Sequence, residues 1–178
     1  MKLPNPAKLR IVLYPDPVLK KVAREVGKFG GDLHAFAARM LELMRAGEGV
    51  GLAAPQVGVG LRLFVCNHTG EPDADLTCVN PRLLDLSGAE EKEEGCLSIP
   101  GVTVTMRRAA RVVMEAYDLD GKLFQITGTD LQARVWQHEI DHLDGRLIID
   151  SMSSADEIAN RRALKQLKEQ YQPVRSAR

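Results

Sequence analysis

The chain has 178 residues, 44% of them hydrophobic and 27% charged, which is the composition of a soluble globular domain with a real core, not of a disordered or fibrous chain. Twenty-four Lys and Arg balance twenty-four Asp and Glu, so no bulk positive field holds nucleic acid, and no apolar run approaches membrane length. Met1 to Pro6 carry neither an apolar nor an Arg-rich targeting pattern, so the expectation is one domain over residues 1–178 in the cytoplasm, without membrane or specific nucleic acid as partner.

Residues 1–10 read as an arm. Tyr14-Pro15-Asp16-Pro17 is a turn, followed by a short helical piece whose Val18, Leu19 and Val22 are expected in the core. From Asp32 to Ala46, Leu33, Phe36, Ala37, Met40, Leu41 and Met44 recur at helical spacing and predict an amphipathic helix. The stretch from Gly47 to Gly58 is rich in glycine but has no Gly-Lys-Ser/Thr, so it is not a phosphate loop. Its Gln56, alone among small apolar residues, is an awkward core resident unless its amide is used.

Strands are expected at 61–66, 77–86, 102–106, 111–117 and 122–127, with Asp118-Leu119-Asp120-Gly121 closing the last two as a hairpin. Glu90 to Glu94 are all charged and read mostly as a solvated segment. Three cysteines without paired spacing predict no disulfide; Cys66 and Cys78 read as small core residues, whereas Cys96 sits in glycine-rich, polar sequence. Strands first and helix last, without βαβ alternation, predict an α+β fold with mainly antiparallel β-sheets.

The helix after the strands runs from a cap at Thr129 or Asp130 to a stop at Gly145. Leu131, Val135, His138 and His142 share one face at spacings of 4, 3 and 4, and Trp136, Ile140 and Leu143 form a second apolar stripe, so the helix is expected to be wrapped by protein. His138-Glu139-Ile140-Asp141-His142 is an H-E-x-x-H pattern. Residues four apart lie about one turn up on the same face, so both imidazoles reach one metal ion while Glu139 leans over an open position, which is the geometry of metal-assisted hydrolysis.

Two histidines do not complete such a site, which takes three protein ligands and a water. The longer H-E-x-x-H-x-x-G-x-x-H pattern is excluded because Ile148 stands where its last His belongs. Glu157 downstream looks like part of a capping box, Ser154-Ala155-Asp156-Glu157, at the head of a terminal helix with the stripe Ala159, Ala163, Leu167 and Tyr171. Upstream, Cys96 lies in Glu94-Gly95-Cys96-Leu97-Ser98-Ile99-Pro100. Residues 153–178 carry a local basic excess (Arg161, Arg162, Lys165, Lys168, Arg175, Arg178), which is commonly only a solvated face.

The stretches G-V-G-L-A-A-P-Q (49–56), E-G-C-L-S-I-P (94–100) and Q-H-E-I-D-H-L-D-G (137–145), in this order, closely resemble the three signature motifs of the peptide deformylases. The resemblance covers essentially residues 10–150. It implies a metal-dependent hydrolase that removes the N-formyl group from the initiator methionine of new polypeptides, with antiparallel sheets around a central metal-binding helix. Cys96, His138 and His142 would be the ligands of one divalent metal, Fe²⁺ natively, with Zn²⁺, Ni²⁺ or Co²⁺ as substitutes. Glu139 would carry the proton, while the Gln56 side chain and the Leu97 N–H would stabilise the oxyanion. Gly51, with Val50 and Gly95 beside it, would pair with the extended peptide, and Leu131 and Val135, with Val50 opposite, would line the methionine slot. The basic C-terminal helix carries a further expectation, docking on the ribosome where N-formylmethionyl nascent peptides emerge. The rival reading is a zinc metalloprotease of the H-E-x-x-H type.

Overall fold

The computed structural model describes residues 3–172. Seven strands, β1 (Gly51–Ala53), β2 (Leu63–Cys66), β3 (Leu76–Ser87), β4 (Glu90–Glu94), β5 (Val104–Arg108), β6 (Arg111–Tyr117) and β7 (Leu123–Thr129), are combined with three helices, α1 (Gly31–Ala46), α2 (Asp130–Leu143) and α3 (Ser154–Gln170). Five strands form an antiparallel sheet in the order β1-β2-β3-β6-β7, and β4 and β5 form a separate antiparallel pair. The architecture is the α+β arrangement expected from the sequence.

Strand periodicity explains how the sheet holds two helices. Side chains alternate faces along a strand, and all four residues of β2 are buried. Leu63 and Val65 enter the cluster that contains Phe36, Met40 and Met44 of α1, whereas Phe64 and Cys66 enter the cluster that contains Trp136, Ile140 and Leu143 of α2. Leu52 and Ala53 divide in the same way on β1, as do Val79 and Cys78 on β3. The β1-β2 end of the sheet is thus packed on both faces. A third cluster, with Leu19, Ile99, Val102, Val104, Ile148 and Leu167, seats α3 behind the β4-β5 pair.

Helix α2 follows β7 without a connecting loop. Thr129 is its N-cap but makes no side-chain capping bond, and Asp130 takes a left-handed φ of 52° at the junction while its N–H donates to the Ala110 carbonyl at 3.0 Å. Gly128 gives Trp136 its place, because a Cβ there would lie 2.7 Å from the indole ring. The helix ends where Gly145, at φ 72°, passes so near Lys20 that a Cβ would lie 2.6 Å from its carbonyl oxygen.

Several local expectations are corrected. Glu91, Lys92 and Glu93 are exposed as expected of a mostly solvated segment, but Glu90–Glu94 is a strand, paired with β5 from Glu90↔Arg108 to Glu94↔Val104, and Glu94 is buried. The glycine-rich stretch contains β1 and a 3-10 turn at Ala54–Val57. Val22 is 70% exposed, although Leu19 is buried as expected. The box that caps α3 runs from Ser153 to Asp156, one residue earlier than read from the sequence, and Glu157 lies outside it. Of the C-terminal stripe, Leu167 is buried and Ala163 partly so, but Ala159 is exposed. No helix among the described residues is long and apolar enough to cross a membrane.

Candidate metal centre and active site

Helix α2 delivers His138, Glu139 and His142, and the loop after β4 delivers Cys96. The donor atoms of Cys96, His138 and His142 lie within 4.8 Å of one another, and no other His, Cys or acidic cluster among the described residues converges in this way. Cys96 Sγ lies 3.2 Å from His142 Nε2. A sulfur and two imidazole nitrogens at this separation fit one divalent ion bound at ordinary ligand distances, which supports the ligand set expected from the sequence.

His138 is turned toward the cluster by Glu94. Its Nδ1 donates to Glu94 Oε2 at 3.0 Å, leaving Nε2 as the ligand atom. Glu94 is buried and also accepts from Arg108 Nε and Nη2, each at 2.9 Å, and from Arg134 Nη1 at 2.7 Å. Burial works to raise the Glu94 carboxyl, but the hydrogen bonds from His138 and then Arg108, with the charge of Arg108, outweigh it and bring it down to about 2. Burial also works to lower His138, which its hydrogen bonds to Cys96 and Glu94 nevertheless raise well above the ordinary range. For His142, burial and then the nearby His138 push the ring well below it.

Glu139 is buried, and its Oε2 has no hydrogen-bond partner. Desolvation pushes this carboxyl up to about 7. Gly51 of β1 makes the room: a Cβ there would lie 2.3 Å from Glu139 Oε1 and 2.9 Å from Val135 Cγ1. The glycine thus has a packing reason in addition to the peptide pairing expected of it.

Gln56 is also buried, with its amide oriented. Oε1 accepts from the Ala53 N–H at 2.7 Å, so Nε2 faces the cluster, 3.4 Å from Cys96 Sγ and 3.3 Å from Ser98 Oγ. The N-terminal segment ties the two loops together, since the Val12 N–H donates to the Gln56 carbonyl at 2.7 Å and the Tyr14 N–H to the Ser98 carbonyl at 2.8 Å.

These groups open on a cavity of about 410 Å³. Val50, Gly51, Gln56, Gly95, Cys96, Leu97, Leu131, Val135, His138 and Glu139 all line it, while His142 lies buried behind. Leu131 does not point inward as its helical face suggested; it is 45% exposed at the cavity mouth, as is Val50 at 40%. Every residue singled out from the sequence is therefore in or against one cleft.

A family model described as polypeptide deformylase matches residues 8–157. The peptide deformylase of Dictyoglomus thermophilum is 47% identical over 135 residues, 76% of this chain and 86% of that one. The peptide deformylase of Alkalilimnicola ehrlichii is 42% identical over 160 residues, 89% and 90% of the two chains. The crystal structure of a peptide deformylase from Legionella pneumophila matches with a TM-score of 0.85 at 42% identity, over 90% of this chain and 96% of that one. The chain belongs to the peptide deformylase family. Its activity is that of a peptide deformylase, and its Cys-His-His cluster is the metal site typical of such enzymes.

Sequence reasoning missed the shell around the deformylase site. Arg108 and Arg134 stand 14 and 40 residues from Glu94, and neither they nor Ser98 belong to a pattern that assigns them a role. One signal was available: Glu94 opens the motif that contains Cys96, which set it apart from the four charged residues before it.

Proposed function

We propose that these cavity residues carry the deformylation of N-formylmethionyl nascent peptides in the cytoplasm. The single observation that supports this most is the meeting, in one cleft, of a buried unpartnered carboxylate oxygen, an oriented amide NH₂ and a Cys-His-His cluster. One divalent ion held by Cys96, His138 and His142 would polarise the formyl oxygen and acidify a water. Glu139 takes the proton of the attacking water as its oxygen adds to the formyl carbon. The Gln56 NH₂ and the Leu97 N–H donate to the oxyanion that forms. When the C–N bond breaks, Glu139 returns the proton to the departing amine, leaving formate and a free N-terminus.

The buried Gln56 and Glu139, beside Gly51, suit a formyl carbon, which bears only hydrogen, and Val50, Leu131 and Val135 offer an apolar wall to the methionine side chain. A mixed sulfur and imidazole donor set suits Fe²⁺, with Zn²⁺, Ni²⁺ or Co²⁺ able to replace it. Release of formate from formyl-Met-Ala-Ser, with no cleavage of casein, is the expected result; casein cleavage would return the enzyme to the metalloprotease class. Protein purified without oxygen should contain iron and lose activity in air, whereas the zinc form should not. Equal air stability of the two forms would count against Cys96 as a ligand.

The exposed basic residues of α3, Arg161, Arg162, Lys165 and Lys168, suit docking on the ribosome, while Arg175 and Arg178 of the same expectation lie outside the described residues. Deleting the chain after Met152 should weaken co-sedimentation with ribosomes at low salt. Unchanged co-sedimentation would remove the idea.

A further inference from the structure

Asp141 stands inside the H-E-x-x-H pattern and takes no part in the chemistry above, yet it is linked back to it. Its Oδ2 accepts from Arg108 Nη1 at 2.5 Å. Arg108, 8% exposed, turns Nε and Nη2 onto both oxygens of Glu94, and Glu94 Oε2 accepts from His138 Nδ1. The links pass from α2 to β5, to the end of β4 and back to α2, where His138 and Asp141 lie three residues apart. The result is a ring of four side chains linked in series and closed through the α2 backbone, with a metal-ligand candidate as one member.

A buried ion pair adds little net stability once the desolvation of both partners is counted, so fold stability is a weak explanation for this ring. Geometry is a better one. A lone carboxylate can rotate about its Cγ–Cδ bond, whereas a two-point guanidinium clamp sets its plane. The guanidinium in turn needs a second anchor, and Asp141 supplies it. We propose that Arg108 and Asp141 are positioning residues for the metal: through Glu94 they hold the His138 ring with Nε2 aimed at the space between Cys96 and His142. The proposal rests on the reading of His138 as a ligand.

The test uses the metal-free full chain, with Zn²⁺ affinity measured by competition against a chromophoric chelator and the visible bands of the Co²⁺-loaded protein recorded alongside. Arg108→Gln should weaken Zn²⁺ binding by about 10- to 100-fold and Asp141→Asn by about 10-fold, both with shifted Co²⁺ bands, because partners of a ligating His orient it. Arg146 also reaches Asp141, through Nη2 at 2.9 Å, but is 62% exposed. Arg146→Gln should therefore change Zn²⁺ affinity by less than about twofold.

In a Glu94→Gln background the ring is already opened, so adding Asp141→Asn should cost less than about twofold more. Wild-type affinity and unchanged Co²⁺ bands in Asp141→Asn would overturn the proposal, and so would an undiminished loss in the Glu94→Gln background. If Arg108→Gln fails to fold, Asp141→Asn decides alone: the asparagine keeps the side-chain shape at a partly exposed position, so the fold tolerates it, but it removes the charge that anchors Arg108. Failure of the underlying reading is separate: His138→Ala that binds Zn²⁺ as tightly as wild type would remove His138 from the ligand set.

Discussion

Helix α2 and strand β4 hold the same histidine from two sides, and they do so by different means. On α2 the ligands are placed by a local rule: residues four apart share a face, whatever the rest of the chain does. On β4, Glu90, Glu91, Lys92, Glu93 and Glu94 look alike locally, yet only Glu94 is buried and holds His138. What separates Glu94 from Glu93 is a pair of arginines that the fold brings in, one from β5 and one from α2 itself. A charge run is therefore not one object. Its members are sorted by partners far away in sequence.

The largest expected effect tests the helical side. Glu139→Ala should lower kcat by about 10² to 10⁴ while the metal content stays that of wild type. Metal loss in that variant would make Glu139 a ligand and would undo the reading of its open position. Gln56→Leu tests a residue that no helical period positions; kcat should fall by about 10² to 10³. A rate that holds while only thermal stability drops would return Gln56 to a packing role.

Gly51→Ala forces a Cβ into the space of the Glu139 carboxylate and should cost on the order of 10² in kcat by misplacing it, with the metal retained. Full activity would mean that Glu139 can swing clear without loss. Val135→Asp puts a carboxylate on the apolar wall and should lower kcat/KM for formyl-Met peptides by roughly 10- to 200-fold, and that for formyl-Ala peptides far less. An unaltered preference would show that this face of α2 does not form the methionine slot. The smallest effect is on β4: Glu91→Gln, exposed opposite Arg107, should change stability by no more than about 0.5 kcal/mol and leave the rate alone. A large effect there would mean that the strand acts as a unit and that Glu94 is not special within it.

Much of this was legible because it depends on short-range periods. The H-E-x-x-H face, the second stripe of Trp136, Ile140 and Leu143, the α1 heptad-like pattern and the Asp118 to Gly121 hairpin, where Gly121 has a φ of 85°, all follow from steps of two to four residues. Cap positions were less legible. Thr129 and Asp130 satisfy composition rules for a cap, but the chain enters α2 directly from β7 through a left-handed Asp130, and Thr129 makes no side-chain capping bond. β1 escaped notice because three small residues among glycines carry no strand pattern, and only pairing with β2 makes them one.

By itself, then, the sequence determined the pieces whose geometry is set by local backbone periods: a helix with two histidines and a glutamate on adjoining faces, alternating strands for an antiparallel sheet, and a glutamine that needed a use. The tertiary structure alone decided how those pieces meet. Cys96 reaches His142 while Cys66 and Cys78 are sealed in the core, the Ala53 N–H turns the Gln56 amide toward the cluster, and Arg108 and Arg134 single out Glu94. The reason is physical. A hydrogen bond or ligand cluster needs atoms placed to within about 1 Å, and between residues tens of positions apart only a packed core sets that distance.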